Sequence, residues 1–281
     1  MDAIREITLA HSPDADDAFM FWALAKGRVE TPGLVFRHVL KDIQSLNREA
    51  QQGVWDVTAV SINGYAHVWR DYALLSTGGS IGDGYGPRVI ATKPLRREEL
   101  RKKRVAHPGA LTTAWLALRL WQPECELVAV DFKEVGPAVK RGDADAGVII
   151  HEGQLTWADE GFHLVEDLGA WWRREKGLPL PLGANAIRRS LGAPLMGKVA
   201  SALKKSIECG LENRDEALTH ALEYGRGLTR SGADEFVGMY VNAHTLDMPA
   251  DVRRSAQLLL DDASDRGLIP ERVRLEFVDA E

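Results

Sequence analysis

A chain of 281 residues with 45% apolar and 27% charged residues has the composition of an ordinary folded protein, large enough for one big domain or two medium ones. Its charges sum to −6, 35 Lys and Arg against 41 Asp and Glu, so it has no basic excess to neutralise a nucleic-acid backbone. No run approaches the roughly 18–20 apolar residues of a membrane span, Cys125 and Cys209 suit neither a disulfide framework nor a zinc site, and the start of the chain lacks a signal-peptide pattern. A cytoplasmic protein with no nucleic-acid or membrane partner is expected.

Short apolar runs alternate with amphipathic stretches, which predicts an α/β fold. Residues 4–10 read as a strand stopped by Ser12-Pro13-Asp14, and 16–25 as a helix whose leading carboxylates suit its N-terminal dipole. Strands are expected at 35–40, 57–60 and 73–75, helices at 43–52 and 62–70, and a loop over the glycine-dense 78–87. A second series follows, with strands at 89–92, 105–107, 127–130, 146–150 and 162–165 and helices at 112–120 and 135–141. Residues 177–187 read as an extended segment whose prolines disfavour a central strand. Everything after Gly192 reads as helical: 194–211, 215–225, 234–240 and 249–266.

Two half-repeats point to two similar lobes. GVWDVTAVS (53–61) and GDADAGVIIH (142–151) each place a glycine, an acid three residues on, and a short apolar strand that delivers a polar residue, Ser61 or His151. Connectors around 84–88 and 178–183 would carry the chain out of the first lobe and back, so residues 1–88 and 182–281 are expected to form one lobe and 89–181 the other.

Ligands of open α/β sheets sit beyond the carboxyl ends of the strands, which here carry Ser12, Ser61, His107, Thr112-Thr113 and His151. His151 follows an apolar strand and is placed for proton transfer near neutrality; the alternative is a strand-end histidine satisfied by a carbonyl. Glu152 is the next residue to consider as a base. HEGQLTW has no second histidine four residues on, which removes the zinc-protease reading. Thr112-Thr113 open a helix, where a threonine is often an N-cap; the same amides and hydroxyls suit a carboxylate, with roughly 1.5–3 kcal/mol at stake for one hydrogen bond to a charged group. Ser12 precedes three aspartates and has no GxSxG elbow around it, so a hydrolase triad is not indicated. The glycines at 78–86 match neither GxGxxG nor a P-loop. Trp171-Trp172 are expected in the core.

The run SPDADDAFMFWALAKGRVE, then HEGQLTW, then LGAWWRREKGLPLPLGANAIRR resembles the 1,4-dihydroxy-6-naphthoate synthase family of the futalosine route to menaquinone, over about residues 7–268. The resemblance implies a two-lobed fold like that of type II periplasmic binding proteins, with a ligand cleft between the lobes. It implies a lyase that converts cyclic dehypoxanthine futalosine to 1,4-dihydroxy-6-naphthoate and a dihydroxyacetone fragment, without metal or organic cofactor. It assigns the base to His151 and places Ser61, Thr112 and Thr113 around a small carboxylate-bearing substrate; Ser12, at the first strand end, is a further candidate contact from its position alone. Three places differ from the family pattern: Ala59 stands where a lysine is usual, SPDADD replaces SPCPND, and Asn185 replaces an apolar residue. These changes add negative and polar character. Two other readings are a chorismate dehydratase of the same superfamily and a non-catalytic small-anion binder. HEG with GLPLPLGA favours the first reading over the dehydratase, and the lack of a signal-peptide pattern argues against a transport receptor.

Overall fold

The computed structural model describes residues 4–225 and 227–280, so residues 1–3 and 281 of the expected first lobe lie outside the described residues. In chain order the elements are β1 (Arg5–His11), α1 (Ala15–Ala25), β2 (Leu34–Leu40), α2 (Ile43–Ala50), β3 (Val57–Ser61), α3 (Ile62–Tyr65), β4 (Tyr72–Leu75), β5 (Ser80–Gly82), β6 (Arg88–Ala91), β7 (Arg104–His107), α4 (Thr113–Trp121) and β8 (Glu126–Ala129). They continue with α5 (Val135–Arg141), β9 (Ala146–Ile149), α6 (Gly153–Thr156), β10 (His163–Asp167), α7 (Leu168–Lys176), β11 (Leu180–Arg188), α8 (Ala193–Glu212), α9 (Arg214–Ala221), α10 (Arg230–Tyr240), α11 (Ala243–Leu246), α12 (Ala250–Asp265) and β12 (Phe277–Val278).

These strands form two sheets, one per lobe. The first runs β12-β4-β11-β3-β1-β2, with β5 also on β11, and the second runs β10-β6-β9-β7-β8. The half-repeats correspond to one shared arrangement. In each lobe a central strand (β1 or β7) pairs in parallel with its successor (β2 or β8) and with the half-repeat strand (β3 or β9). An antiparallel strand from across the hinge, β11 or β6, then pairs with β3 or β9. The acid of each half-repeat ties its strand to the central one. Asp56 Oδ2 accepts from the Thr8 amide at 2.9 Å and Asp145 Oδ2 from the Arg104 amide at 3.0 Å. That is the structural reason the motif places an acid just before the strand.

Four sequence expectations are corrected. The loop at 78–87 contains β5, which pairs with the start of β11. The segment around the prolines becomes β11, an interior strand between β3 and β4. The prolines do not prevent this because Pro179 precedes the strand and Pro181 lies at the irregular β5 register, whereas the ladders to β3 and β4 begin at Gly183 and Ala186. The region after Gly192 is not all helical, since β12 adds in parallel to β4. The helix expected at 62–70 is only α3, Ile62–Tyr65. Helix α7, which the sequence reading did not include, starts where Asp167 Oδ1 accepts from the Gly169 and Ala170 amides at 2.9 and 3.0 Å. Gly169 must be glycine, because a Cβ there would collide with the Tyr85 carbonyl.

Packing explains the long apolar run of α1. Phe19, Phe21 and Trp22 are buried in a core shared with Val199, Leu203 and Ile207 of α8 and Phe236 of α10, so the helix is enclosed on nearly all sides. Trp172 is fully buried, and its indole N–H donates to Ser255 Oγ at 2.9 Å, which satisfies the one polar atom the ring brings inside. Among the described residues no helix is long and apolar enough to cross a membrane.

Candidate active site

The carboxyl ends of β1, β3 and β9 and the start of α4 converge on a cavity between the lobes. Ser12, Ser61, Thr112, Thr113 and His151 all line it. His107 does not: it is buried beside the Gly109 amide, which donates to its Nδ1 at 3.2 Å, and burial lowers its pKa. The helical region also contributes Phe236 and Tyr240 of α10 to the lining, and nothing in its sequence pattern marked them.

His151 leaves β9 in the left-handed region, φ +57°, a conformation that costs a non-glycine residue roughly 1–2 kcal/mol. This turn directs the ring into the interlobe space, where Nδ1 lies 2.8 Å from Asp14 Oδ2 and the ring meets Phe132 edge to face at 5.1 Å. The next turn is α6, whose Gln154 side-chain amide meets the Tyr240 hydroxyl at 2.7 Å. With its nitrogen on that side, the amide also donates to the Gly86 carbonyl at 2.6 Å.

Across the cleft, Asp14 occupies the N-cap position of α1, but its side chain makes no cap hydrogen bond to the helix. Ser12 Oγ donates to Asp14 Oδ2 at 2.5 Å, and the Ser12 amide donates to Asp17 Oδ2 at 2.7 Å. Asp16 and Asp17 line the same cavity, and among the described residues no Lys or Arg side chain joins that lining. Burial, and then the neighbouring carboxylates, push the pKa of Asp16 well above the ordinary range. Burial and the Asp14 charge raise that of Asp17 to about 7. Desolvation therefore outweighs the favourable helix dipole at this end.

The other end is built differently. Thr112 caps α4: its Oγ1 accepts from the Trp115 amide at 3.2 Å and donates to the Gly109 carbonyl at 2.7 Å. Thr113 Oγ1 donates to the Leu182 carbonyl at 2.6 Å and accepts from the Asn63 amide at 3.3 Å, so it ties α4 to β11 and α3. Both hydroxyl hydrogens are thus given to carbonyls, and the positive end of α4 is what this side of the cavity offers an anion. Ser61 Oγ accepts from Asn47 Nδ2 at 3.0 Å. Asn185 on β11 donates to the Gly78 carbonyl at 3.1 Å, while its buried Oδ1 has no protein partner. Gly78, at φ +78°, leaves the space that the Asn185 amide occupies. Among the described residues no group of three or more His, Cys, Asp or Glu is placed to hold a metal ion.

We expect Thr112→Val to act mainly on stability, lowering it by about 1 kcal/mol as a lost cap. Thr113→Val is expected to raise KM by about tenfold, the equivalent of about 1.4 kcal/mol, because it weakens closure over the ligand. Denaturant titration and steady-state kinetics on the two variants check both; a stability loss with unchanged KM in Thr113→Val would reduce that residue to a structural tie.

Two sheets and a cleft with polar groups at the strand ends define a periplasmic-binding-protein-like fold. The alkanesulfonate-binding protein SsuA of Xanthomonas axonopodis pv. citri, solved with bound MOPS, has this fold with a TM-score of 0.76 at 14% identity, covering 100% of both chains. A crystal structure of a protein from Archaeoglobus fulgidus is nearer, with a TM-score of 0.91 and 45% identity over 94% of this chain and 98% of that one. A family described as menaquinone biosynthesis matches residues 7–265, and the chain belongs to that family. A 1,4-dihydroxy-6-naphthoate synthase of Thermus thermophilus is 39% identical to it over 99% of this chain and 100% of its own length. One from Streptomyces coelicolor is 37% identical over 94% and 95%.

Proposed function

We propose that this protein is a cytoplasmic carbon–carbon lyase that converts cyclic dehypoxanthine futalosine to 1,4-dihydroxy-6-naphthoate, with release of a dihydroxyacetone fragment. The observation that carries this reading is His151, held at the end of a buried strand in the cleft of a chain whose full-length relatives bear that enzyme's name. In this reading residues 1–88 and 182–281 form one lobe and 89–181 the other, supported by the division of the strands between two sheets.

The cavity's charge pattern supports one orientation of the substrate. Its carboxylate avoids Asp14, Asp16 and Asp17 and takes the α4 end, where the helix dipole and the first amides favour an anion. The hydroxylated, sugar-derived portion then faces the acceptors: the aspartates, Ser12, Ser61 and Asn185 Oδ1. His151 takes a proton from that portion, and aromatisation of the second ring drives loss of the fragment. Closure of the lobes excludes water and fixes this geometry. The purified protein is expected to turn over cyclic dehypoxanthine futalosine, with both products seen by mass spectrometry and no added cofactor. Tight binding without turnover would instead support a small-anion binder.

A further inference from the structure

We propose that Asp14 is the positioning residue for His151: its carboxylate holds the hydrogen of Nδ1 and thereby fixes Nε2 as the atom that accepts the substrate proton. This inference rests on the lyase reading above.

An aspartate at a helix N-cap ordinarily accepts from the amides of the first turn. Asp14 stands at that position of α1 and makes no such bond. Its side chain instead crosses the cleft, and Oδ2 receives the His151 ring at 2.8 Å and the Ser12 hydroxyl at 2.5 Å. A carboxylate oxygen accepts both on its lone pairs as charge-assisted bonds, and of the two carboxylates within reach of the Ser12 hydroxyl, Asp14 is the nearer, Asp17 Oδ2 lying 3.0 Å away. The residue is 1% exposed, so neither contact is diluted by water.

The ring is constrained from its other sides as well. The left-handed backbone at residue 151 sets where the imidazole emerges, and Phe132 packs edge to face against it. A neutral imidazole carries one N–H; with an acceptor at Nδ1 the hydrogen belongs there, and the lone pair belongs to Nε2. The carboxylate also stabilises the imidazolium that forms when the base takes its proton, the role of the buried aspartate in a Ser-His-Asp triad. Here Asp14 comes from the first lobe and His151 from the second, so the base is set correctly only when the lobes close. The other titratable groups around the pair are Asp16 and Asp17 on α1, His11 at the end of β1, and Glu152, the residue after His151.

The test combines nitrogen-15 NMR of labelled histidine with kinetics. In the wild type the His151 ring should show the Nδ1–H tautomer. Asp14→Asn, whose amide can present N–H to Nδ1, should shift the ring toward the Nε2–H tautomer. Its kcat should fall by about 10²–10⁴ with KM within about twofold, and the acid limb of its pH profile should move to lower pH as the neighbouring charge is lost. Asp14→Glu should recover part of the rate, which a purely structural role would not require. A wild-type ring in the Nε2–H tautomer overturns the inference without any variant. So does an Asp14→Asn protein with wild-type kcat and pH profile while the wild type turns over the substrate. A wild type that leaves the substrate untouched removes the lyase reading, and this inference with it.

Discussion

His151→Asn is expected to lower kcat by about 10² or more, because a positioned general base typically contributes 10²–10⁴. KM should change little, since the proposed orientation puts the carboxylate of the substrate on α4 at the other end of the cavity. In the wild type, turnover should rise with pH as the ring loses its proton and then level. The backbone at this residue separates chemistry from folding. His151→Ala keeps a side chain at φ +57°, whereas His151→Gly relieves it, so the glycine variant should be the more stable of the two by about 1 kcal/mol. Both should be equally inactive. Steady-state kinetics over pH, with thermal unfolding of each variant, make the comparison. A variant with near-full turnover and the wild-type pH profile would move the base to another residue, Glu152 first.

Asp17→Asn is expected to stabilise the ligand-free protein, and more at pH 8 than at pH 5. Burial and the Asp14 charge raise Asp17 from 3.8 to about 7 in the folded state. Between those values the folded protein holds a proton that the unfolded chain has released, so stability falls as pH rises through the window, and the full penalty is present above it. Asparagine carries no such penalty, and its oxygen can still accept from the Ser12 amide. The gain over wild type should be about 2 kcal/mol larger at pH 8 than at pH 5. His11 works in the opposite direction: burial holds its imidazole neutral to about 3, so stability from that site is lost below the ordinary histidine range. Subtracting wild type from variant at each pH removes that contribution. Urea titrations at the two pH values decide the matter, and an equal gain at both would mean that Asp17 does not hold the excess proton.

The acidic end of the cavity shows how far sequence reading reached. SPDADD was visible as a departure toward negative charge, but whether its aspartates capped α1 or faced the cleft depended on where the second lobe came to rest. Asp14 and His151 are 137 residues apart in the chain, and their contact at 2.8 Å is a product of the tertiary fold. Thr112 behaves as a local rule predicts, since a cap is a contact three residues long. The second contact of Thr113, to Leu182, reaches across the cleft and follows no local pattern.

What the sequence by itself determined was the part of the protein governed by short-range periodicity: the alternation of strands and helices, the doubled plan around Asp56 and Asp145, and strand ends that carry Ser61 and His151. Apolar spacing and an acid before a strand act over a few residues, so they survive in the one-dimensional record. Only the tertiary structure decided the rest. β11 is interior despite its prolines because β3 pairs along one edge of it while β5 and then β4 share the other, with Pro181 at the irregular part of the β5 register. β12 is a strand because the edge of β4 was open to it. Tyr240 reaches the cavity because α10 packs on α1. Each of these depends on which segments become neighbours after the chain has crossed the hinge twice, and the energy that selects them is burial and hydrogen bonding between residues far apart in sequence.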